Sequence, residues 1–243
     1  MKILVLVGSG EFTQSMIKID GYLIERVEKI KRKQRINVAI IPTASVPDER
    51  QQNWIDEGVK HFKRLGVNPF GLNIVEKHDA SKKSNLDKLK TASVIYFSGG
   101  HPGYLLKIFK NSKSWNLIEN LYEGGKILIG SSAGAMILGN YVLANAQEAF
   151  DKGEKPMWKK GLDLVPYSIF PHFDWAQKYK QKLLKKVIDS APKAVRECWM
   201  GIDEDTALLV FNNKQVRLMG KGTLTIQLRN KSRTYRVDQE FII

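Results

Sequence analysis

Short apolar runs that alternate with longer amphipathic stretches constrain the fold of this chain more than any other feature. The predicted strands are Lys2–Val7, Asn37–Ile41, Gly71–Val75, Val94–Phe97 and Lys126–Ile129. The stretches between them carry apolar residues at helical spacing, as Ile19, Leu23 and Val27 do. Strands separated by helices are joined by right-handed crossovers, which build a parallel sheet. The sequence therefore predicts an α/β fold with a mostly parallel sheet and helices on both faces.

The pattern changes after residue 195. Thr206–Phe211, Gln215–Met219 and Leu224–Leu228 are short strand-like runs, separated by the turns Asn212-Asn213 and Gly220-Lys221-Gly222. Short strands joined by such turns predict an antiparallel C-terminal extension of the parallel sheet. Neither a repeat nor a low-complexity linker interrupts the sequence, so we expect one α/β domain over residues 1–243.

The composition narrows the class of protein. No apolar run approaches the roughly 20 residues of a membrane span, and the opening apolar residues are typical of a first strand rather than of a signal peptide. The single cysteine, Cys198, excludes an intramolecular disulfide and is typical of a reducing compartment. We therefore expect a cytoplasmic protein that does not associate with membranes.

The formal net charge of +14 raises the question of nucleic-acid binding. The lysines are scattered along the chain, however, and no nucleic-acid-binding motif frames them. We predict that the chain does not bind nucleic acid. The positive field either favours anionic substrates or reflects the composition of the lineage.

Residues 126–136 carry the strongest indication of chemistry. The apolar run Ile127–Ile129 continues directly into Gly130-Ser131-Ser132-Ala133-Gly134, and small residues that can begin a helix follow. A Gly-x-Ser-x-Gly pattern between a strand and a helix is typical of a nucleophile elbow. Ser132 is the candidate nucleophile, and the N–H of Ala133 is a candidate oxyanion donor. The alternative is a glycine-rich turn without catalytic function.

A nucleophilic serine needs a base, which is usually histidine. His172 follows Ser132 in the chain and lies in Phe170-Pro171-His172-Phe173-Asp174, between a strand-like run and a lysine-rich helix. It is the candidate base, and the alternative is a hydrogen-bonded structural histidine. Lysines and an arginine surround His61, which predicts a solvated helix face there.

A third residue should orient the base. Asp203-Glu204-Asp205 supplies three acids between apolar runs, and Glu204 points opposite to its neighbours if the segment is extended. Glu204 is the candidate acid, and the alternative is an acidic turn in solvent.

Gly8-Ser9-Gly10 follows the first predicted strand and resembles the start of a dinucleotide-binding fingerprint. No third glycine follows at the required spacing, so we predict a tight turn that substrate can approach, and no cofactor. Glu11, next in the chain, is a candidate to hold a substrate ammonium group. The alternative for Glu11 is a solvated acid at a helix start.

Five segments together resemble the peptidase E (aspartyl dipeptidase) and cyanophycinase family of serine peptidases. They are Ile41–Ser45, Phe97–Gly100, Gly130–Ala135, Pro171–Phe173 and Gly201–Ala207. The resemblance implies a flavodoxin-like fold of the class I glutamine amidotransferase type. It also implies a Ser132–His172–Glu204 triad, with the N–H groups of Gly100 and Ala133 as oxyanion donors. Neither a metal ion nor a cofactor is implied, and the family suggests a homodimer.

The resemblance leads us to expect hydrolysis of a small peptide through an acyl-enzyme, and it suggests an N-terminal aspartate in that peptide. Two alternatives stay open. One is hydrolysis of β-aspartyl-arginine units, as in cyanophycinases. The other is a protein of amidotransferase-like fold that binds small molecules without catalysis.

Overall fold

The computed structural model describes residues 2–31, 35–212 and 215–242. Its strands are β1 (Ile3–Val7), β2 (Asn37–Ile41), β3 (Asn68–Gly71), β4 (Val94–Phe97), β5 (Ile127–Ser131), β6 (Tyr141–Leu143), β7 (Trp158–Lys160), β8 (Ser168–Phe170), β9 (Cys198–Ile202), β10 (Thr206–Phe211), β11 (Gln215–Gly220), β12 (Thr223–Leu228), β13 (Lys231–Arg236) and β14 (Glu240–Ile242).

Its helices are α1 (Ile17–Lys31), α2 (Gln51–Arg64), α3 (Lys83–Thr91), α4 (Pro102–Phe109), α5 (Lys113–Glu123), α6 (Ala133–Leu138), α7 (Ala146–Asp151), α8 (Phe173–Tyr179), α9 (Gln181–Asp189) and α10 (Lys193–Glu197). Among these described helices, none combines the length and the apolar content needed to cross a bilayer.

An eight-stranded sheet in the order β14-β11-β10-β1-β5-β4-β2-β3 forms the centre of the molecule. Five neighbouring strands, β1, β5, β4, β2 and β3, are parallel to one another. Beyond β1 the sheet continues through the antiparallel pairs β1–β10, β10–β11 and β11–β14. The predicted α/β fold with a mostly parallel sheet and an antiparallel extension is therefore confirmed.

Side chains alternate between the two faces of this sheet and belong to two separate hydrophobic cores, one on each face. On β1, Leu4 and Leu6 belong to one cluster, while Ile3, Val5 and Val7 belong to the other. Helices α1 and α2 cover the second face, and α4, α5 and α6 cover the first. Because both faces are covered, the central strands are mostly apolar, and their apolar runs could be recognised in the sequence.

Two predictions about strands were wrong. The run Leu224–Leu228 was expected on the main sheet, but β12 pairs with β9 and β13 in a second sheet of four strands, β13-β12-β9-β8. The third strand was expected at Gly71–Val75, but β3 ends at Gly71, where its pairing with β2 runs out. Leu72 and Ile74 lie beyond that point in irregular chain and are buried. Their apolar side chains therefore indicate burial in the core and not membership of a strand. Of the predicted Asn212-Asn213 turn, Asn213 lies outside the described residues.

His61 does not lie on a solvated face, contrary to the prediction. Its side chain is 1% exposed, and its Nε2 lies 2.8 Å from Oδ2 of Asp20, which is equally buried. Burial raises the pKa of Asp20, and the hydrogen bond and charge of His61 oppose that rise. The pair joins α1 to α2 beneath a layer of aromatic rings, a contact between helices that no local pattern on α2 indicates.

Candidate active site

The carboxyl ends of β1, β4 and β5 meet at one edge of the large sheet, where open α/β sheets bind their ligands. Residues that follow these strands line a cleft of about 630 Å³: Ser9, Gly10 and Glu11 after β1, Gly99 and Gly100 after β4, and Ser132 after β5. Pro171, His172 and Glu204 reach the same cleft from the smaller sheet and its connections. The structure therefore brings the residues predicted from separate motifs into one place.

Ser132 occupies the turn between β5 and α6 in a strained backbone conformation, with φ 50° and ψ −113°. The two glycines of the motif, Gly130 and Gly134, are required because neighbouring backbone approaches each of them too closely for a side chain. A Cβ on Gly130 would lie 2.5 Å from the carbonyl oxygen of Gly134, and one on Gly134 would lie 2.5 Å from that of Phe97. The positive φ of Ser132 is a strained conformation for a residue other than glycine. Strain of this kind costs on the order of 1–3 kcal/mol and is concentrated at functional sites. The geometry is that of a nucleophile elbow rather than an ordinary turn.

This strain predicts a stability difference between two variants that both lack the hydroxyl. We expect Ser132→Gly to have a free energy of unfolding about 1 kcal/mol higher than Ser132→Ala, because glycine adopts positive φ freely and this outweighs its backbone entropy cost. Thermal and denaturant unfolding of the two variants measure the difference. Equal stability, or a less stable glycine variant, would show that the turn stores no strain.

The three polar side chains of the predicted triad lie in hydrogen-bond sequence. Ser132 Oγ is 3.1 Å from His172 Nε2, and His172 Nδ1 is 2.6 Å from Glu204 Oε1. The backbone N–H of Glu204 donates to Oδ1 of Asp174 at 3.0 Å, which ties the acid to the start of α8. His172 itself precedes α8 in a left-handed conformation, φ 51° and ψ 37°, that turns its ring towards β5. A hydroxyl, an imidazole and a carboxylate in this order can pass a proton from the hydroxyl to the ring.

The two aspartates beside Glu204 have other partners. Asp203 accepts hydrogen bonds from the backbone and the hydroxyl of Thr223; burial raises the pKa of its carboxyl, and the nearby Asp174 adds to the rise. Burial also acts to raise the pKa of Asp205, but hydrogen bonds from Lys221 and Ser15 outweigh it and lower the pKa. Of the three consecutive acids, Glu204 alone contacts the imidazole.

The two predicted oxyanion donors belong to different segments: Ala133 follows Ser132 directly, and Gly100 lines the same cleft as Ser132. Ala133 is the first residue of α6, where backbone N–H groups have no partner within the helix. Gly100 has φ 134°, and a Cβ there would lie 2.3 Å from the carbonyl oxygen of Ala44. That same oxygen accepts from the N–H of His101 at 2.7 Å, which fixes the loop after β4. The loop therefore requires glycine for steric reasons, and its backbone faces the cleft.

Glu11 has a role that neither alternative from the sequence described. Its carboxylate is buried, and it accepts from the N–H of Gly99 at 2.8 Å and from the hydroxyl of Ser131 at 2.7 Å. Glu11 thus joins the loop after β4 to the strand that precedes the nucleophile. Because its partners are 88 and 120 residues away in the chain, no local pattern could have identified this contact.

We expect Glu11→Gln to lower kcat about 10- to 100-fold with a smaller change in KM, because the loop that carries Gly100 loses its anchor. The glutamine amide keeps the size of the side chain but offers only one acceptor oxygen to two donors. Steady-state kinetics against Glu25→Gln, the same substitution at an exposed site on α1, check the prediction. Unchanged kcat in Glu11→Gln would show that the anchor does not position the loop.

Hydrolases that act through an activated serine have side chains in this order beside a pair of N–H groups. The chain belongs to peptidase family S51, whose family model matches residues 4–219, and its class is that of the peptidase hydrolases. The predicted resemblance is therefore confirmed at the level of the family.

Relatives of known sequence and structure agree with this membership. A cyanophycinase of Synechococcus elongatus is 27% identical over 195 residues, which span 78% of this chain but only 58% of that protein. An uncharacterized peptidase of Listeria monocytogenes is 30% identical over 195 residues, 79% of this chain and 86% of the relative. The crystal structure of a peptidase from an acI-B1 Actinobacterium matches with a TM-score of 0.86 at 26% identity, covering 100% of this chain and 97% of that one.

Proposed function

We propose that this protein hydrolyses a peptide amide bond of a small peptide through an acyl-enzyme on Ser132. The observation that carries the proposal is the continuous contact from Ser132 Oγ through His172 to Glu204, with distances of 3.1 and 2.6 Å, in a chain of a peptidase family. A site that merely binds small molecules has no need for a strained serine aligned with an imidazole and a carboxylate.

In the proposed reaction, His172 Nε2 takes the proton of Ser132 as Oγ attacks the carbonyl carbon. The carbonyl oxygen becomes an oxyanion that accepts from the N–H groups of Gly100 and Ala133. Glu204 holds Nδ1–H and stabilises the imidazolium. The imidazolium then donates its proton to the leaving amine as the C–N bond breaks. Water next attacks the acyl carbon while His172 takes its proton, and the imidazolium returns that proton to Ser132 Oγ as the ester C–O bond breaks and the carboxylic acid is released.

A dipeptide library, assayed on the wild type beside Ser132→Ala, tests the proposal. The library contains α-aspartyl, β-aspartyl and neutral N-terminal residues. Hydrolysis that disappears in Ser132→Ala supports a serine peptidase, and labelling of Ser132 by a fluorophosphonate adds a second readout. A wild type that neither cleaves any peptide nor takes the label would favour the non-catalytic alternative.

Hydrolysis of β-aspartyl-arginine units is the second candidate function, because several relatives bear the name cyanophycinase at 24% to 27% identity. The dipeptide β-aspartyl-arginine and the cyanophycin polymer therefore belong in the same assay. Cleavage of these substrates in preference to α-linked dipeptides would select this candidate.

A further inference from the structure

The cleft beside Ser132 has an apolar wall on the side of α6 to α9. The wall is formed by Met136, Leu143, Phe150, Phe170, Trp175 and Leu184. Four of these six side chains are buried in the protein, so each offers only a small apolar surface to a ligand. Aliphatic and aromatic groups around one end of a cleft provide a site for an apolar side chain of similar size.

The charges around the cleft are of one sign. Among the described residues that line it, the ionisable ones are Glu11, Glu57, Asp151, His172 and Glu204, and there is no lysine or arginine. This is notable in a chain that carries 39 lysines and arginines against 25 acids. Glu11 and Glu204 are engaged by the protein, whereas Glu57 and Asp151 are exposed at the edge of the cleft.

A carboxylate side chain of a substrate would be disfavoured in this cleft for two reasons. It would leave water for a wall that offers no cation, and it would approach carboxylates of the same charge. An apolar side chain would instead gain by leaving water, and a substrate ammonium group would be attracted to Glu57 and Asp151. The net charge of +14 therefore does not describe the field at the site.

We infer that this cleft selects peptides with a large aliphatic or aromatic residue next to the scissile bond and discriminates against acidic residues there. The inference rests on the proposed function for the location of the scissile bond. It names a substrate class different from the N-terminal aspartate expected from the sequence resemblance.

Binding of dipeptides to Ser132→Ala separates the inference from catalysis. Two matched series, Xaa-Ala and Ala-Xaa with Xaa as Leu, Phe, Asn or Asp, are titrated by calorimetry. In at least one series we expect the Leu and Phe peptides to bind about 10- to 100-fold more tightly than the Asp peptide, with Asn between them. Asp peptides that bind as tightly as Leu and Phe peptides in both series would overturn the inference, as would a lack of binding by every peptide.

A positive charge introduced at the lining of the cleft provides a second test. Gln147 on α7 lines the cleft, so Gln147→Arg supplies the missing cation, whereas Gln181→Arg adds the same charge on α9 outside it. We expect the ratio of kcat/KM for Asp over Leu peptides to rise about tenfold in Gln147→Arg and to stay unchanged in Gln181→Arg. Equal ratios in the two variants would count against the inference.

Failure of the proposed function and failure of the inferred selectivity give different results. If Ser132→Ala binds Leu and Phe peptides preferentially but the wild type cleaves none of them, the proposed function fails and the selectivity of the cleft stands. If the wild type cleaves peptides through Ser132 but prefers Asp, the proposed function stands and the inference fails.

Discussion

Ser132→Ala is expected to lower kcat/KM for peptide hydrolysis by on the order of 10⁴ to 10⁶ while leaving the fold intact. In the proposed mechanism the variant lacks the oxygen that attacks the carbonyl carbon, and His172 Nε2 loses its contact at 3.1 Å. What remains is the contribution of the oxyanion donors and of substrate binding, which alone accelerates hydrolysis modestly over water.

The measurement is steady-state hydrolysis of the best dipeptide from the library, with circular dichroism to establish folding. Ser190→Ala is a matched control, because it removes the hydroxyl of an exposed residue after α9 that donates to the carbonyl oxygen of Val187 at 2.9 Å. Retention of more than about a hundredth of the wild-type rate by folded Ser132→Ala would rule out Ser132 as the nucleophile.

Glu204→Gln is expected to lower kcat by about 10² to 10⁴ with little change in KM. The carboxylate accepts from His172 Nδ1 at 2.6 Å and so keeps the Nε2 lone pair directed at Ser132. A glutamine can present its N–H₂ group to Nδ1 instead, which favours the wrong tautomer and leaves the imidazolium without a countercharge.

Asp205→Asn is the matched control, because it neutralises the adjacent carboxylate, which contacts Ser15 and Lys221 rather than the imidazole. We expect kcat of this control within a few-fold of the wild type, since asparagine also tolerates the positive φ of 53° at this position. Equal losses of kcat in the two variants would mean that the acidic segment acts through charge or folding and not through orientation of His172.

The placement of the strands shows how far local patterns reach. β2, β4 and β10 begin and end where the sequence predicted, because a strand buried on both faces leaves a nearly continuous apolar run. The partner of a strand is a tertiary property, however. Leu224–Leu228 was correctly predicted as a strand, yet it joined the second sheet, because its pairing with β9 depends on chain that is distant in sequence.

The candidate site divides in the same way. The elbow around Ser132 was predictable, since close backbone contacts at Gly130 and Gly134 leave a local mark in the sequence. The burial of His61 and the anchoring contact of Glu11 could not be recognised from any local sequence pattern, because each depends on a partner from another segment.

The sequence by itself determined the class of fold, the family and the residue types available for chemistry, because apolar periodicity and glycine positions are local consequences of burial and backbone geometry. Only the tertiary structure decided which charges face the cleft. Lysines and arginines outnumber the acids in the chain, 39 to 25, but the described residues that line the cleft bring together carboxylates, one imidazole and an apolar wall. The reason is physical: net charge is a sum over the whole chain, whereas a substrate responds to the few groups within a Debye length of it.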